Sequence, residues 1–213
     1  LIHTRKKDIP YPIIPKLNNA RINIIEQLND SIKTLKTKPY AVLAHNSSLY
    51  LKKSFQNDLL EIKKKKLVKK VGVSIYNPAE AEAVLKADLK PDLIQLPINI
   101  LDTKFYRKNI LEKLKFNNVE IHARSIFLQG LFFLSDKKIK NLFPDVINSI
   151  KELKSIALEG NLSIFELSLL WVINLKYINK VVLGIESVQQ LKVHLNTLRK
   201  KVDFKLFEDA ISL

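Results

Sequence analysis

VGVSIYNPAEAEAVL, residues 71–85, is the stretch whose reading decides the fold. Val71 to Ile75 is apolar without polar alternation, the signature of a strand buried on both faces, as in a parallel sheet covered by helices. The run ends in polar atoms at Ser74 to Tyr76. Asn77 then supplies an N-cap and Pro78 the first helical position, and Ala79 to Leu85 carries a helix. A strand that feeds directly into a capped helix is one βα unit.

Outward from this stretch the same pattern repeats. AVLAHNSS (41–48) stops at His45, LIQLPIN (93–99) at Gln95, VEIHARS (119–125) at Arg124 and Ser125, and VVLGIES (181–187) at Gly184 to Ser187. Leu1 to Arg5 reads as one more strand end, followed by a proline-rich loop over 8–15. Between the strands lie helical stripes at steps of three and four. Ile22, Ile25, Leu28, Ile32 and Leu35 mark 19–36, and Phe55, Leu59, Leu60 and Ile62 mark 54–66. Further helices are expected over 105–116, 142–158, 163–175, 188–198 and 204–211. Ser163 with Glu166 forms a capping-box pattern, and Ser187 caps the helix that follows it. The apolar stretch 126–140 is too long for a simple connection and is expected to cover something.

A β-α-β-α string of this kind predicts an α/β fold. Six strands are legible, and eight close a (β/α)8 barrel, whose C-terminal strand ends converge on one mouth. An open doubly wound sheet would carry a Gly-rich phosphate loop. With 4 glycines in all (Gly72, Gly130, Gly160 and Gly184), that loop cannot be built. The expectation is therefore a single barrel domain spanning 1–213 and incomplete as given. The chain opens inside a strand, at Leu1, so the first two strands are expected upstream. Two open sheet edges would make the 213-residue chain marginally soluble and a poor binder of cofactor.

Composition narrows the class. The 46% hydrophobic content supports one sizeable core. No apolar run reaches the ~18 residues of a membrane span, and no signal-peptide pattern opens the chain. Zero cysteine excludes disulfides, thiolate metal sites and a cysteine nucleophile, and fits a reducing, cytoplasmic compartment. No metal site is expected. The net charge of +15 reads first as solvated lysine, without the Arg clusters or aromatics of a nucleic-acid module. A positive field of this size still attracts anionic cofactors. No nucleic-acid partner and no membrane partner is expected, in a monomer or homodimer.

Five segments in register resemble the aldo/keto reductase family: LAHNSSLY, KKVGVSIYNPAE, LIQLPINILD, IHARSIFLQGLFF and VVLGIESVQQL. The resemblance covers nearly the whole chain. It implies a (β/α)8 barrel that binds NADP(H), with NAD(H) as the less common alternative, and reversible hydride transfer to an aldehyde or ketone. The family's catalytic set is Asp, Tyr, Lys and His. His45 matches the histidine. The lysine belongs at the end of LIHTRKK, where Arg5 falls, with Lys6 beside it. An arginine cannot give up its proton as an ammonium can. The aspartate and tyrosine belong to the expected upstream region, so residues 1–213 alone are expected to be inactive.

The resemblance also implies a cofactor set. Ser74 and Gln95 match the groups that hold the nicotinamide carboxamide, while Ile75 replaces an asparagine found in many members. Arg124 stands where many carry a tyrosine that stacks on the nicotinamide. Ser125, Phe127, Leu128 and Gln129 lie along the pyrophosphate. Gly184, Ile185, Glu186 and Ser187 lead into a helix N-terminus, a ready anion site. Gln190 and His194 fall where members face the adenine. Glu186 disfavours a 2′-phosphate, whereas Lys192 and Arg199 favour one. Arg5 and Ile75 also motivate an alternative class, a catalytically impaired binding or regulatory protein on the same fold.

Overall fold

The computed structural model describes residues 14–17 and 23–213. Its six strands are β1 (Lys16–Leu17), β2 (Ala41–Ala44), β3 (Lys70–Ser74), β4 (Leu93–Pro97), β5 (Glu120–Arg124) and β6 (Lys180–Val181). They are hydrogen-bonded in sequential order, β1 to β6, and the pairs β1–β2, β2–β3 and β3–β4 are parallel. Helices connect them: α1 (Ile24–Leu35), α2 (Ser47–Tyr50), α3 (Lys53–Lys64), α4 (Pro78–Leu85), α5 (Lys104–Arg107), α6 (Ile110–Phe116), α7 (Asp136–Leu142), α8 (Ile147–Glu159), α9 (Ile164–Asn174), α10 (Val188–Thr197) and α11 (Phe204–Ile211). This is the α/β architecture of parallel strands and helical crossovers that the sequence predicts for an incomplete (β/α)8 barrel. The chain groups into two compact units, an N-terminal one (Ile2–Leu96 and Lys108–His122) and a C-terminal one (Pro97–Arg107 and Ala123–Leu213).

In the N-terminal unit β2, β3 and β4 are buried nearly throughout, as unalternating apolar strands must be. Ala41, Leu43 and Leu93 share one sheet face, with Ile14 and Tyr40 packed against them. Gly72 lies opposite both Leu43 and Leu93 in the strand register. A Cβ at Gly72 would stand 1.9 Å from the Leu93 carbonyl oxygen and 2.8 Å from Leu43 Cδ2, so this position admits no side chain. Tyr50 is fully buried, and its hydroxyl donates to the Leu89 carbonyl at 2.8 Å. Burial pushes the phenol pKa above its usual range.

In the C-terminal unit α9 is the central helix. It is apolar around its whole circumference, with Leu167, Leu169, Leu170 and Val172 almost without exposure. The capping box forms: Ser163 Oγ accepts from the Glu166 N–H, and Glu166 Oε2 accepts from the Ser163 N–H at 2.9 Å. α8 packs on α9 and α11. Trp171 is buried and meets Tyr106 edge-on at 6.1 Å.

Several expected boundaries move. The strand paired with β2 is Lys16–Leu17, inside the stretch expected to follow a proline loop, while the expected strand at Leu1 to Arg5 lies outside the described residues. The helix expected over 142–158 starts late: α8 begins at Ile147, after a 3₁₀ turn at Pro144–Val146 opened by a proline that has no N–H to continue α7. The helix expected over 105–116 divides at Asn109, which adopts a left-handed φ of 55°. The stretch 126–140 contains 3₁₀ turns and most of α7, and α2 fills what read as a simple strand exit.

Candidate functional site

The register of the N-terminal unit builds a row of polar side chains. Ala44 pairs with Val73, so the next residues, His45 and Ser74, stand level, and Ser74 pairs with Gln95. The Glu120 N–H donates to the Asp92 carbonyl at 2.9 Å, which sets Leu93 opposite Glu120 and Gln95 opposite His122. Residues two apart on a strand share a face. Hence His45, Ser74, Gln95 and His122 form one row, with Leu43, Gly72, Leu93 and Glu120 in the row below. Leu43 and Leu93, both fully buried, anchor the row below.

Each member has a definite setting. His45 is half-buried, and its N–H donates to the Leu17 carbonyl at 3.0 Å. Ser74 is fully buried and Gln95 is 7% exposed. Lys16, on the strand beside the histidine strand, donates from Nζ to Ser74 Oγ at 3.3 Å. Arg5 and Lys6, the sequence candidates for a catalytic cation, lie outside the described residues. Sequence reasoning missed Lys16 because a two-residue strand among prolines leaves no periodic signal.

It also missed the group around Glu120. Glu120 Oε2 accepts from the Tyr40 hydroxyl at 2.6 Å and from Lys70 Nζ, and Oε1 meets His122 Nε2 at 2.7 Å. Burial alone would raise the pKa of this carboxyl, but the bonds from Lys70, Tyr40 and His122 outweigh it and hold it down at about 2. An ionised carboxylate only accepts, so His122 carries its proton on Nε2. The only sequence signal was the period-two placement of Glu120 and His122 in VEIHARS.

The C-terminal unit carries the remaining candidates. Arg124 Nη1 donates to Ser125 Oγ at 3.2 Å. Ser125, Leu128 and Gln129 all have left-handed φ, at 62°, 46° and 55°, an accumulation of costly backbone in one loop of the kind that marks functional segments. Phe127 stacks against Phe165 at 4.8 Å and meets Phe133 at 5.6 Å. Gly184, Glu186, Ser187 and Gln190 are exposed, and Ile185 is partly buried. Ser187 Oγ caps α10 by accepting from the Gln190 N–H at 3.1 Å, while Gln190 Oε1 accepts from the Glu186 N–H at 2.7 Å. His194 is turned inward and buried, against Phe165 at 5.1 Å and Phe127 at 5.7 Å. Its Nδ1 is buried without a hydrogen-bond partner, and burial lowers its pKa. Among the described residues no group of three or more His, Cys, Asp or Glu is placed to hold a metal ion.

A family model for the aldo/keto reductase family matches residues 3–209. The chain belongs to the aldo/keto reductase family. Solved aldo/keto reductases share its fold at low identity. A thermostable member in complex with the inhibitor epalrestat superposes with a TM-score of 0.74 at 20% identity, over 94% of this chain and 70% of that one. The holo form of a Bacillus halodurans aldo-keto reductase gives 0.77 at 16% identity, over 98% and 74%. A search of the curated proteins found no match. The family comprises oxidoreductases that act on small carbonyl compounds with NAD(P)H. In aldo/keto reductase terms, β2 to β6 supply the strand ends on which the sequence resemblance rests.

Proposed function

We propose that this chain binds a nicotinamide dinucleotide, NADP(H) with NAD(H) as the alternative, for hydride transfer to and from an aldehyde or ketone. The observation that carries this reading is the row His45, Ser74, Gln95, level at the strand ends, with the Lys16 ammonium bonded to Ser74. Two features support a fit to the cofactor. Gln95 is a primary amide, almost buried, whose side chain makes no hydrogen bond to a described residue, and it suits a carboxamide partner. The unpartnered Nδ1 of His194 is a second buried polar atom that an adenine N–H could satisfy.

In this reading the bound cofactor supplies the hydride. Ser74 and Gln95 hold and orient the carboxamide, and Arg124 offers a planar guanidinium for stacking. Ser125, Phe127 and Gln129, with Gly184 to Ser187, follow the pyrophosphate, and Gln190 and His194 lie toward the adenine end. His45 directs the substrate oxygen by hydrogen bonding, and Lys16 places positive charge where an oxyanion forms. Arg5 and Lys6 remain candidates for the family's lysine.

The test is titration of NADPH and NADH by nicotinamide fluorescence. Micromolar binding of either supports the reading, and no binding of either overturns it. The second reading, an impaired reductase that binds or regulates, draws on Ile75, which is fully buried and offers no side-chain amide where many members have one. Binding without turnover on a panel of aldehydes and ketones would favour it.

A further inference from the structure

We propose that the end of the N-terminal unit formed by the loops entering β2, β3, β4 and β5 docks on an anionic lipid bilayer surface. In a parallel sheet, helix-to-strand loops gather at one edge, opposite the row of His45, Ser74 and Gln95. Lys36 and Lys38 precede β2, Lys66 and Lys69 precede β3, Lys90 precedes β4 and Lys115 precedes β5, and all six are exposed. The acids at this edge are already engaged by other lysines: Asp92 by Lys63, Glu61 by Lys65 and Glu120 by Lys70. Asp88 is likewise held by Lys53. None of the six cations forms an ion pair among the described residues; the exposed carboxylate of Glu112 stands one turn from Lys115 on α6, and positive charge prevails along the edge.

Helix dipoles explain only part of this charge. Lys36 is the C-cap of α1 and Lys115 lies in the last turn of α6, where cations are favoured. Lys38, Lys66, Lys69 and Lys90 lie beyond the helix ends, and the dipole effect falls off within the last turn. Beside Lys115 stands Phe116, which is 88% exposed. A bare aromatic ring beside an exposed lysine, at an edge whose other loops carry five more exposed lysines, combines the two elements of surface binding, apolar insertion and attraction to acidic headgroups.

The chemistry favours lipid over nucleic acid. Every cation of this set is a lysine, a mobile point charge suited to a diffuse anionic surface, whereas phosphate recognition with fixed geometry favours arginine forks. A single aromatic gives no platform for successive bases. The sequence argument against a membrane partner concerned spans, and no single helix among the described residues is long and apolar enough to cross one. Surface docking needs none.

The experiment is co-sedimentation of the chain with phosphatidylcholine vesicles, with and without roughly 30% phosphatidylserine, at low and high salt. The expected result is partition onto the anionic vesicles only, lost at high salt as screening sets in. Lys66→Glu with Lys69→Glu should lower the partition coefficient by tenfold or more, and Phe116→Ser by about fivefold, with the thermal melt unchanged. Equal binding to neutral vesicles, insensitivity to salt, or no effect of the charge reversals overturns the proposal. Tighter binding of single-stranded RNA or duplex DNA than of anionic vesicles also overturns it, in favour of a nucleic acid.

Discussion

Glu120 gathers three donors at one carboxylate, and its protonation state is tied to folding. Its pKa of about 2 in the folded chain lies below the ~4.3 of an unfolded glutamate. A group depressed in this way stabilises the fold above its unfolded value, and the contribution disappears as pH falls through the folded value. Stability should therefore decline between about pH 4.5 and 2. Glu120→Gln keeps the size but removes the charge that Lys70 and His122 face. It should cost about 1–3 kcal/mol at neutral pH and flatten that acid limb, both readable from urea melts across pH. An unchanged acid limb would assign the pH dependence to other carboxylates. Gln95 makes the complementary functional case. Gln95→Ala should weaken cofactor affinity by about tenfold, the worth of one or two hydrogen bonds, with a small change in melting temperature. Calorimetric titration of both forms would show it.

At the scale of elements, legibility followed the strength of the local signal. The caps at Asn77, Ser163 and Ser187 carry their own chemistry, so α4, α9 and α10 begin where their sequences indicate. Ser163→Ala removes one half of the capping box and should cost about 1 kcal/mol, measured by chemical denaturation. β2 to β5 were legible because unbroken apolar runs ending in a polar residue have few other uses. β1 was not: two residues have no period, and Lys16 and Leu17 are placed by pairing with Leu43 and Ala44 rather than by their own propensity. The break at Asn109 and the late start of α8 after Pro144 were under-read because apolar periodicity continued across them. Gly72 shows how strongly pairing constrains sequence. A methyl group there meets the Leu93 carbonyl and Leu43, so Gly72→Ala should destabilise by about 3 kcal/mol or prevent folding. A melt within a degree of the parent would show that β3 and β4 can separate to admit it.

For the whole molecule, the family and fold were recoverable from five short segments in order, because backbone topology fixes which strand ends can become neighbours. The side-chain rows were not recoverable, since they depend on register. Only the pairing of Ser74 with Gln95 and the neighbouring ladder brings His122 level with them. His194 is a similar case: its helix was legible, but its rotation into the Phe127–Phe165 cluster is a packing outcome that spacing alone does not set.

The sole tryptophan, Trp171, is buried against Tyr106, and both belong to the C-terminal unit. Its emission is therefore a reporter placed within the C-terminal unit, whereas His45, Ser74 and Gln95 belong to the N-terminal one. Backbone circular dichroism reads both units. If the chain melts as one cooperative body, the two signals will superimpose. If the units are separate foldons, the emission red-shift and the loss of ellipticity will part. The placement of one indole thus makes the chain its own assay for whether its two halves fold together.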